Sequence, residues 1–154
     1  MADIFAAQGR DTEYEFILKR IISEYPTYLP AYNSLSEHQM RQGRINEAID
    51  TIYDAFRINN EEPLLLNNLG VCWIISGEYD KALDIFTKAA SINPENTRYR
   101  MNMALALGLL KRYEESLALY KQILPEDQAE NNLNVLRGRN EELASDITYQ
   151  KSNY

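Results

Sequence analysis

Hydrophobic residues recur along most of the chain in two alternating helical stripes. In residues 63–96 the first stripe contains Leu66, Leu69 and Trp73, and the second contains Ala82, Ile85, Phe86 and Ala89. Spacings of three and four residues place apolar side chains on one face of an α-helix. The segment therefore predicts two helices that pack against each other as a hairpin.

This hairpin pattern returns with a fixed period of 34 residues, which also separates Gly9, Gly43 and Gly77. A period of this length is typical of a solenoid built from stacked helical units. The glycines come at the end of each first helix, where a left-handed residue closes the turn without a Cβ clash. Lys111 takes the next glycine position, and we expect it to strain that turn by about 1 kcal/mol.

Very small and very large side chains alternate within the best-defined unit. We expect Gly70 and Ala82 to mark a close approach between the two helices of the hairpin. The large residues then fill the space between that hairpin and its neighbours, which assigns these residues to packing; they are Leu69, Trp73, Tyr79 and Phe86.

The unit 63–96 has leucine, small, aromatic and proline residues at fixed positions, which are Leu66, Leu69, Gly70, Trp73, Ala82, Phe86, Ala89 and Pro94. This arrangement resembles the tetratricopeptide repeat (TPR) family, whose pattern is W-x2-L-G-x2-Y, A-x3-F, an alanine and a closing proline. The resemblance implies an all-α, right-handed superhelix of stacked antiparallel helix hairpins.

The same resemblance divides the chain into one domain over residues 1–146. We predict a partial N-terminal unit at 1–28, repeats at 29–62, 63–96 and 97–125, and a capping helix at 126–146. Residues 147–154 have no period, and we expect a frayed tail there.

In TPR proteins the first helices line the concave side, and the resemblance implies which residues face inward here. They are Asn33, Glu37, Met40, Arg41, Leu64, Asn67, Asn68, Val71, Ile74, Ile75, Arg98, Met101, Asn102, Leu105 and Leu109. They predict an apolar floor with an amide and arginine rim, suited to a partner's helix or extended segment. In the alternative interpretation, these residues pack on neighbouring or terminal helices of the chain itself.

The asparagines of this set carry a specific expectation. Asn67, Asn68 and Asn102 would hydrogen-bond a partner's backbone, so replacing Asn68 and Asn102 by alanine should weaken binding with little change in thermal stability. Asn68, Arg98 and Asn102 also match part of the clamp that some TPR domains use for a C-terminal carboxylate. Glu37 and Val71 depart from that clamp, which argues against chaperone tails as partners.

Composition and candidate chemistry narrow the function further. The net charge is −7 and no basic stripe is present, so the sequence predicts no nucleic-acid partner. The apolar run 103–110 is much shorter than the roughly 18 residues of a membrane span. His38 and Cys72 share a position in adjacent repeats, about 10 Å apart in stacked helices, which is too far for a catalytic pair. We predict no catalytic, metal or cofactor site.

Residues 96–137 carry a more specific pattern at Asn102, Ala104, Leu105, Leu107, Gly108, Leu109, Arg112, Glu115, Leu124, Pro125, Ala129, Asn132, Leu133 and Leu136. It resembles the last repeat of the TadD family of tight-adherence (Flp) pilus assembly proteins. That resemblance implies an assembly factor of a pilus or secretion system. It also implies a trimmed periplasmic or outer-membrane-associated chain, whereas a native N-terminus without a signal sequence would indicate a cytoplasmic protein.

Together these observations predict a non-catalytic module that binds a protein or peptide partner in its concave groove. A cytoplasmic adaptor or co-chaperone-like scaffold is the first alternative. A self-assembling scaffold, in which one molecule's terminal helix fills another's groove, is the second.

Overall fold

A computed structural model describes the backbone of residues 2–152 and the side chains of residues 10–142. Within the described backbone every regular element is a helix, which confirms the all-α prediction. The helices are α1 (Ala2–Glu24), α2 (Leu29–Arg41), α3 (Ile45–Phe56), α4 (Pro63–Ile75), α5 (Tyr79–Ile92), α6 (Thr97–Leu109), α7 (Tyr113–Lys121) and α8 (Glu126–Ser152). No helix in the described part is long and apolar enough to cross a membrane.

Successive helices pair into hairpins, and the hairpins stack. The pairs are α2 with α3, α4 with α5, and α6 with α7, while α1 packs on α2 at one end and α8 packs on α6 and α7 at the other. The first helices of the three hairpins also contact one another in the order α2, α4, α6, and α6 in turn contacts α8. These four helices therefore form one continuous face.

The turns inside the three hairpins are built alike. Gly43, Gly77 and Lys111 have φ angles of 72°, 78° and 63°, so all three residues are left-handed. The following residue in each turn donates a backbone hydrogen bond at 2.9 Å to the carbonyl five residues earlier, as in a Schellman cap. Gly9, which shares the spacing, instead lies inside α1 and closes no such turn.

Gly70 lies directly against the Phe86 ring, as the alternation of small and large residues predicts. A Cβ added at Gly70 would overlap with the ring, because Phe86 Cδ1 would lie 2.7 Å away. Ala82 packs in the same cluster with no exposed surface. Close approach of α4 to α5 therefore depends on the missing side chain at Gly70.

The C-terminal end departs from the prediction. Helix α8 continues to Ser152, past the predicted end of the cap at residue 146 and through most of the predicted tail; residues 153 and 154 lie outside the described range. Residues 139–152 contain no proline or glycine, so nothing in the sequence interrupts the helical hydrogen bonds there.

Candidate partner-binding surface

The exposed sides of α2, α4 and α6 contain two recesses. The three-helix recess is lined by Glu37, Met40, Arg41, Asn68, Val71 and Arg98, which come from all three helices. The two-helix recess is lined by Leu29, Pro30, Asn33, Ser34, Glu62 and Leu64. Every residue of the three-helix recess belongs to the predicted partner-binding set.

A chain of asparagine side chains links the first helices of the three repeats. Asn68 Nδ2 donates to Asn33 Oδ1 at 2.8 Å, which joins α4 to α2. Asn102 Nδ2 donates to Asn67 Oδ1 at 2.7 Å, which joins α6 to α4. Within α4, Asn67 Nδ2 lies 3.5 Å from Asn68 Oδ1. The amides therefore connect neighbouring repeats.

This network corrects the expected role of the asparagines. Asn67 and Asn68 are only 1% and 3% exposed, and their amides bond to neighbouring side chains. They are not free to hydrogen-bond a partner's backbone, as the sequence interpretation expected. The physical reason is the spacing of 35 residues in each pair, one more than the period, which turns the two side chains toward each other.

The acidic member of the three-helix recess is held by the same network. Asn33 Nδ2 donates to Glu37 Oε1 at 3.1 Å, and Asn68 Nδ2 lies 3.5 Å from the same oxygen. Glu37 thus replaces an amide or basic residue of the carboxylate clamp with a hydrogen-bonded carboxylate. A terminal carboxylate would meet this negative charge.

The two arginines of the recess have no acidic partner among the side chains of residues 10–142. Arg41 and Arg98 are exposed, and neither forms an ion pair within residues 10–142. Elsewhere on the surface, Arg112 bonds to Glu115 at 2.7 Å. Positive charge therefore remains available on this face of an acidic protein.

The α6 end of the predicted surface is partly covered by the chain's own terminal helices. Leu109 is 5% exposed and lies in a core cluster with Ala104, Tyr120, Ala129 and Leu136. This placement removes Leu109 from the predicted contact surface. Further members of the predicted set, Ile74, Met101 and Leu105, pack against that cluster, while Ile75 is exposed outside both recesses.

The two-helix recess was missed by the sequence analysis except for Leu64 and Asn33. Pro30 precedes Leu64 by one period of 34 residues, so the repeat itself contained a signal for it. Leu29, Ser34 and Glu62 had no such signal, because their position depends on how the starts of α2 and α4 meet.

The candidate catalytic residues occupy separate environments. Cys72 is fully buried in a core cluster, and burial raises the pKa of its thiol to about 11. His38 is buried toward α1, with Nε2 3.9 Å from Glu15 Oε2 and its ring edge-on to Tyr14. Among residues 10–142 no group of three or more metal-ligating side chains comes together.

Two family models, both described as tetratricopeptide repeat, match residues 33–97 and 74–138 and together span more than half of the chain. The chain belongs to the tetratricopeptide repeat family. Repeats of this family generally form scaffolds that bind protein partners, and the TPR fold of this chain suggests a scaffold for protein–protein interaction.

Similar proteins agree on the fold of this TPR chain. The crystal structure of MamA superimposes with a TM-score of 0.68 at 16% identity, covering 100% of this chain and 98% of that one. The structure of YrrB, described as a TPR protein with an unusual peptide-binding site, gives a TM-score of 0.68 at 18% identity, covering 91% of this chain and 74% of that one. Both show a TPR solenoid.

One relative matches most of this chain but is far longer. Protein O-mannosyl-transferase TMTC1 of Mus musculus is 25% identical over 131 residues, which are 80% of this chain and 14% of that protein. The TPR chain thus spans about one seventh of that relative's length. None of these three similarities shows the narrower resemblance to TadD-type pilus assembly proteins.

Proposed function

We propose that this TPR chain is a non-catalytic interaction module that binds a segment of a partner protein across α2, α4 and α6. The observation that carries the proposal is the three-helix recess, because three successive repeats contribute side chains to it. A recess shared among repeats exists only in the folded stack. It can contact several residues of one partner segment at once.

The asparagine network supports this proposal by fixing the floor of the face. Bonds from Asn68 to Asn33 and from Asn102 to Asn67 hold α2, α4 and α6 at set distances. A surface that is ordered before binding loses less conformational entropy when the partner docks. YrrB, a structural neighbour, is described as having a peptide-binding site.

The environment of Cys72 favours a binding role over a catalytic one. With a pKa of about 11, the thiol is protonated at neutral pH, whereas a nucleophilic cysteine acts as the thiolate. Within this interaction role, an assembly factor of a pilus or secretion system is the narrower proposal that the TadD resemblance supports.

The experiment is a selection from a phage-displayed library of random dodecapeptides, followed by NMR mapping of the enriched peptides on the ¹⁵N-labelled chain. We expect amide shifts to cluster at Glu37, Asn68 and Arg98. Shifts confined to the outer helices α3 and α5, or no enriched peptide at all, would refute the proposed surface.

A further inference from the structure

Among residues 2–152, helices α1 and α8 each have an apolar side that no other helix covers. Helix α1 packs only on α2, and α8 packs only on α6 and α7. We propose that these two sides bind each other between copies of the chain, so that α1 of one copy pairs with α8 of the next. The copies then assemble head to tail, through a contact that uses neither recess of the proposed partner-binding surface.

The uncovered side of α1 is formed by Phe16 and Ile17. Phe16 is 63% exposed, whereas the neighbouring Leu18 is buried in a cluster with Ala31 and Leu35 of α2. Helix α1 therefore has two apolar sides, and α2 covers one of them. Helices α3 and α5 each pack between two first helices, but in the described structure α1 has such a neighbour on one side only.

The uncovered side of α8 is centred on Val135, which is 63% exposed. Gly138 lies one helical turn later on the same side, and a Cβ added there would meet nothing within 4 Å. Inside the stack, the missing side chain of Gly70 lets the Phe86 ring approach α4 in a similar way. Val135 and Gly138 thus form an apolar surface with room for an aromatic side chain.

The charges beside the apolar residues favour an antiparallel pair. Glu13 lies one turn before the apolar residues of α1, and Arg139 lies one turn after Val135. If the apolar residues face each other in antiparallel helices, Glu13 also faces Arg139. Neither residue forms an ion pair within residues 10–142. A parallel pair would instead bring Arg20 beside Arg139, where the like charges repel.

A second copy fits because the chain contains both complementary sides. One side has an exposed aromatic residue and an unpaired acid, and the other has room for an aromatic residue and an unpaired base. The two sides lie on helices at opposite ends of the stack, so they cannot meet within one molecule. A contact between unlike surfaces leaves one of each free, and such contacts build open chains or closed rings.

The test is sedimentation velocity of the full chain at concentrations from about 10 µM to about 1 mM. We expect the average mass to rise with concentration beyond that of a dimer. An α1 variant, Phe16→Gln with Ile17→Gln, and an α8 variant, Val135→Gln, should each weaken association about tenfold or more. Tyr53→Gln, at an exposed aromatic residue of α3, is the matched control and should leave the mass unchanged. Circular dichroism melts confirm that each variant is folded.

Mixtures of variants test whether unlike ends pair. The α1 variant keeps an intact α8 side and the α8 variant keeps an intact α1 side, so an equal mixture should form a dimer that grows no further. Glu13→Arg and Arg139→Glu should each weaken association, because like charges then face each other. Mixing these two charge variants should restore association, since every contact between unlike copies again joins opposite charges.

Three outcomes would overturn the inference. The first is a chain that stays monomeric over the whole concentration range. The second is association that the α1 variant weakens and the α8 variant does not, because that result indicates contact between two α1 helices. The third is loss of association in Arg98→Glu, which changes the three-helix recess and would indicate that a terminal helix fills the groove. We expect Arg98→Glu to associate like the wild type.

Discussion

Asn102 donates a hydrogen bond from Nδ2 to Asn67 Oδ1 at 2.7 Å across the boundary between two repeats. Asn67 is almost completely buried. Its side-chain amide cannot hydrogen-bond to water, and the bond from Asn102 takes the place of one. Unpaired buried amides are costly, and the bond therefore stabilises the contact between α4 and α6.

Asn67→Ala should destabilise the chain by about 1–2 kcal/mol, because it removes a buried hydrogen bond and leaves Asn102 without its acceptor. Urea denaturation followed by circular dichroism measures the change. Asn134→Ala, at an exposed position of α8, is the matched control and should stay within about 0.5 kcal/mol of the wild type. Equal stability of the two variants would mean that the hydrogen bond between Asn102 and Asn67 contributes nothing to the free energy of unfolding.

The same structure reverses the expectation for Asn68 and Asn102. Their replacement by alanine was expected to affect binding alone. Because both side chains bond to neighbouring repeats, we now expect the double variant to lose stability as well, so it cannot serve as a clean binding variant.

Lys111→Gly should stabilise the protein by about 0.5–1 kcal/mol. Lys111 has a φ angle of 63°, which a residue with a Cβ adopts at a cost of about 1–2 kcal/mol, partly offset by the greater flexibility of glycine in the unfolded chain. The urea midpoint should rise with an unchanged slope. The reverse change at an equivalent turn, Gly77→Lys, should lower the midpoint. If Lys111→Gly were no more stable than the wild type, the backbone at Lys111 would not be strained.

Gly70→Ala should destabilise the chain by about 1–3 kcal/mol, since the new methyl group would overlap with the fully buried Phe86 ring. Gly138→Ala is the matched control, because a Cβ there meets nothing within 4 Å. That change lies inside α8 and should stabilise the helix by about 0.5–1 kcal/mol. Thermal melts of the two variants should therefore shift in opposite directions.

The Glu15 carboxylate should make stability depend on acid pH. Hydrogen bonds from Arg44 and Lys19 lower the pKa of Glu15 from 4.5 to about 2. A carboxyl group whose pKa is lower in the folded state stabilises the fold above its unfolded pKa, and the effect is lost as pH falls from about 4.5 to 2. The free energy of unfolding of the wild type, measured by urea denaturation, should exceed that of Glu15→Gln by about 2 kcal/mol at neutral pH. This difference should disappear as the pH falls through that range. A difference that does not change with pH would exclude the ion pair as its source.

The repeat made the turns predictable, because a left-handed residue after each first helix is a local property. Gly43 and Gly77 could be located by spacing alone, and Lys111 could be recognised as a strained substitute. The close contact of Gly70 with Phe86 was also predictable, since a missing side chain beside a large one indicates close packing.

The surface was harder to predict because it depends on how side chains of different repeats meet. A shift of one residue in register decides whether the Asn67 side chain faces a partner protein or Asn102 of the next repeat. A 34-residue pattern does not resolve that shift. Leu109 is buried because α8 follows the short helix α7 and packs back on α6. The sequence predicted a capping helix at 126–146 and left open that surface residues pack on it, but the 34-residue period fails after Pro125, so it could not single out Leu109.

The reactivity of the Cys72 thiol can be used to measure how often the middle repeat opens. The thiol is sealed inside the stack and protonated at neutral pH, so a soluble disulfide reagent can reach it only when α4 separates from its neighbours. The rate of thiol labelling therefore measures how often the central hairpin opens, without any probe being introduced. A bound partner that spans the three repeats would slow this reaction.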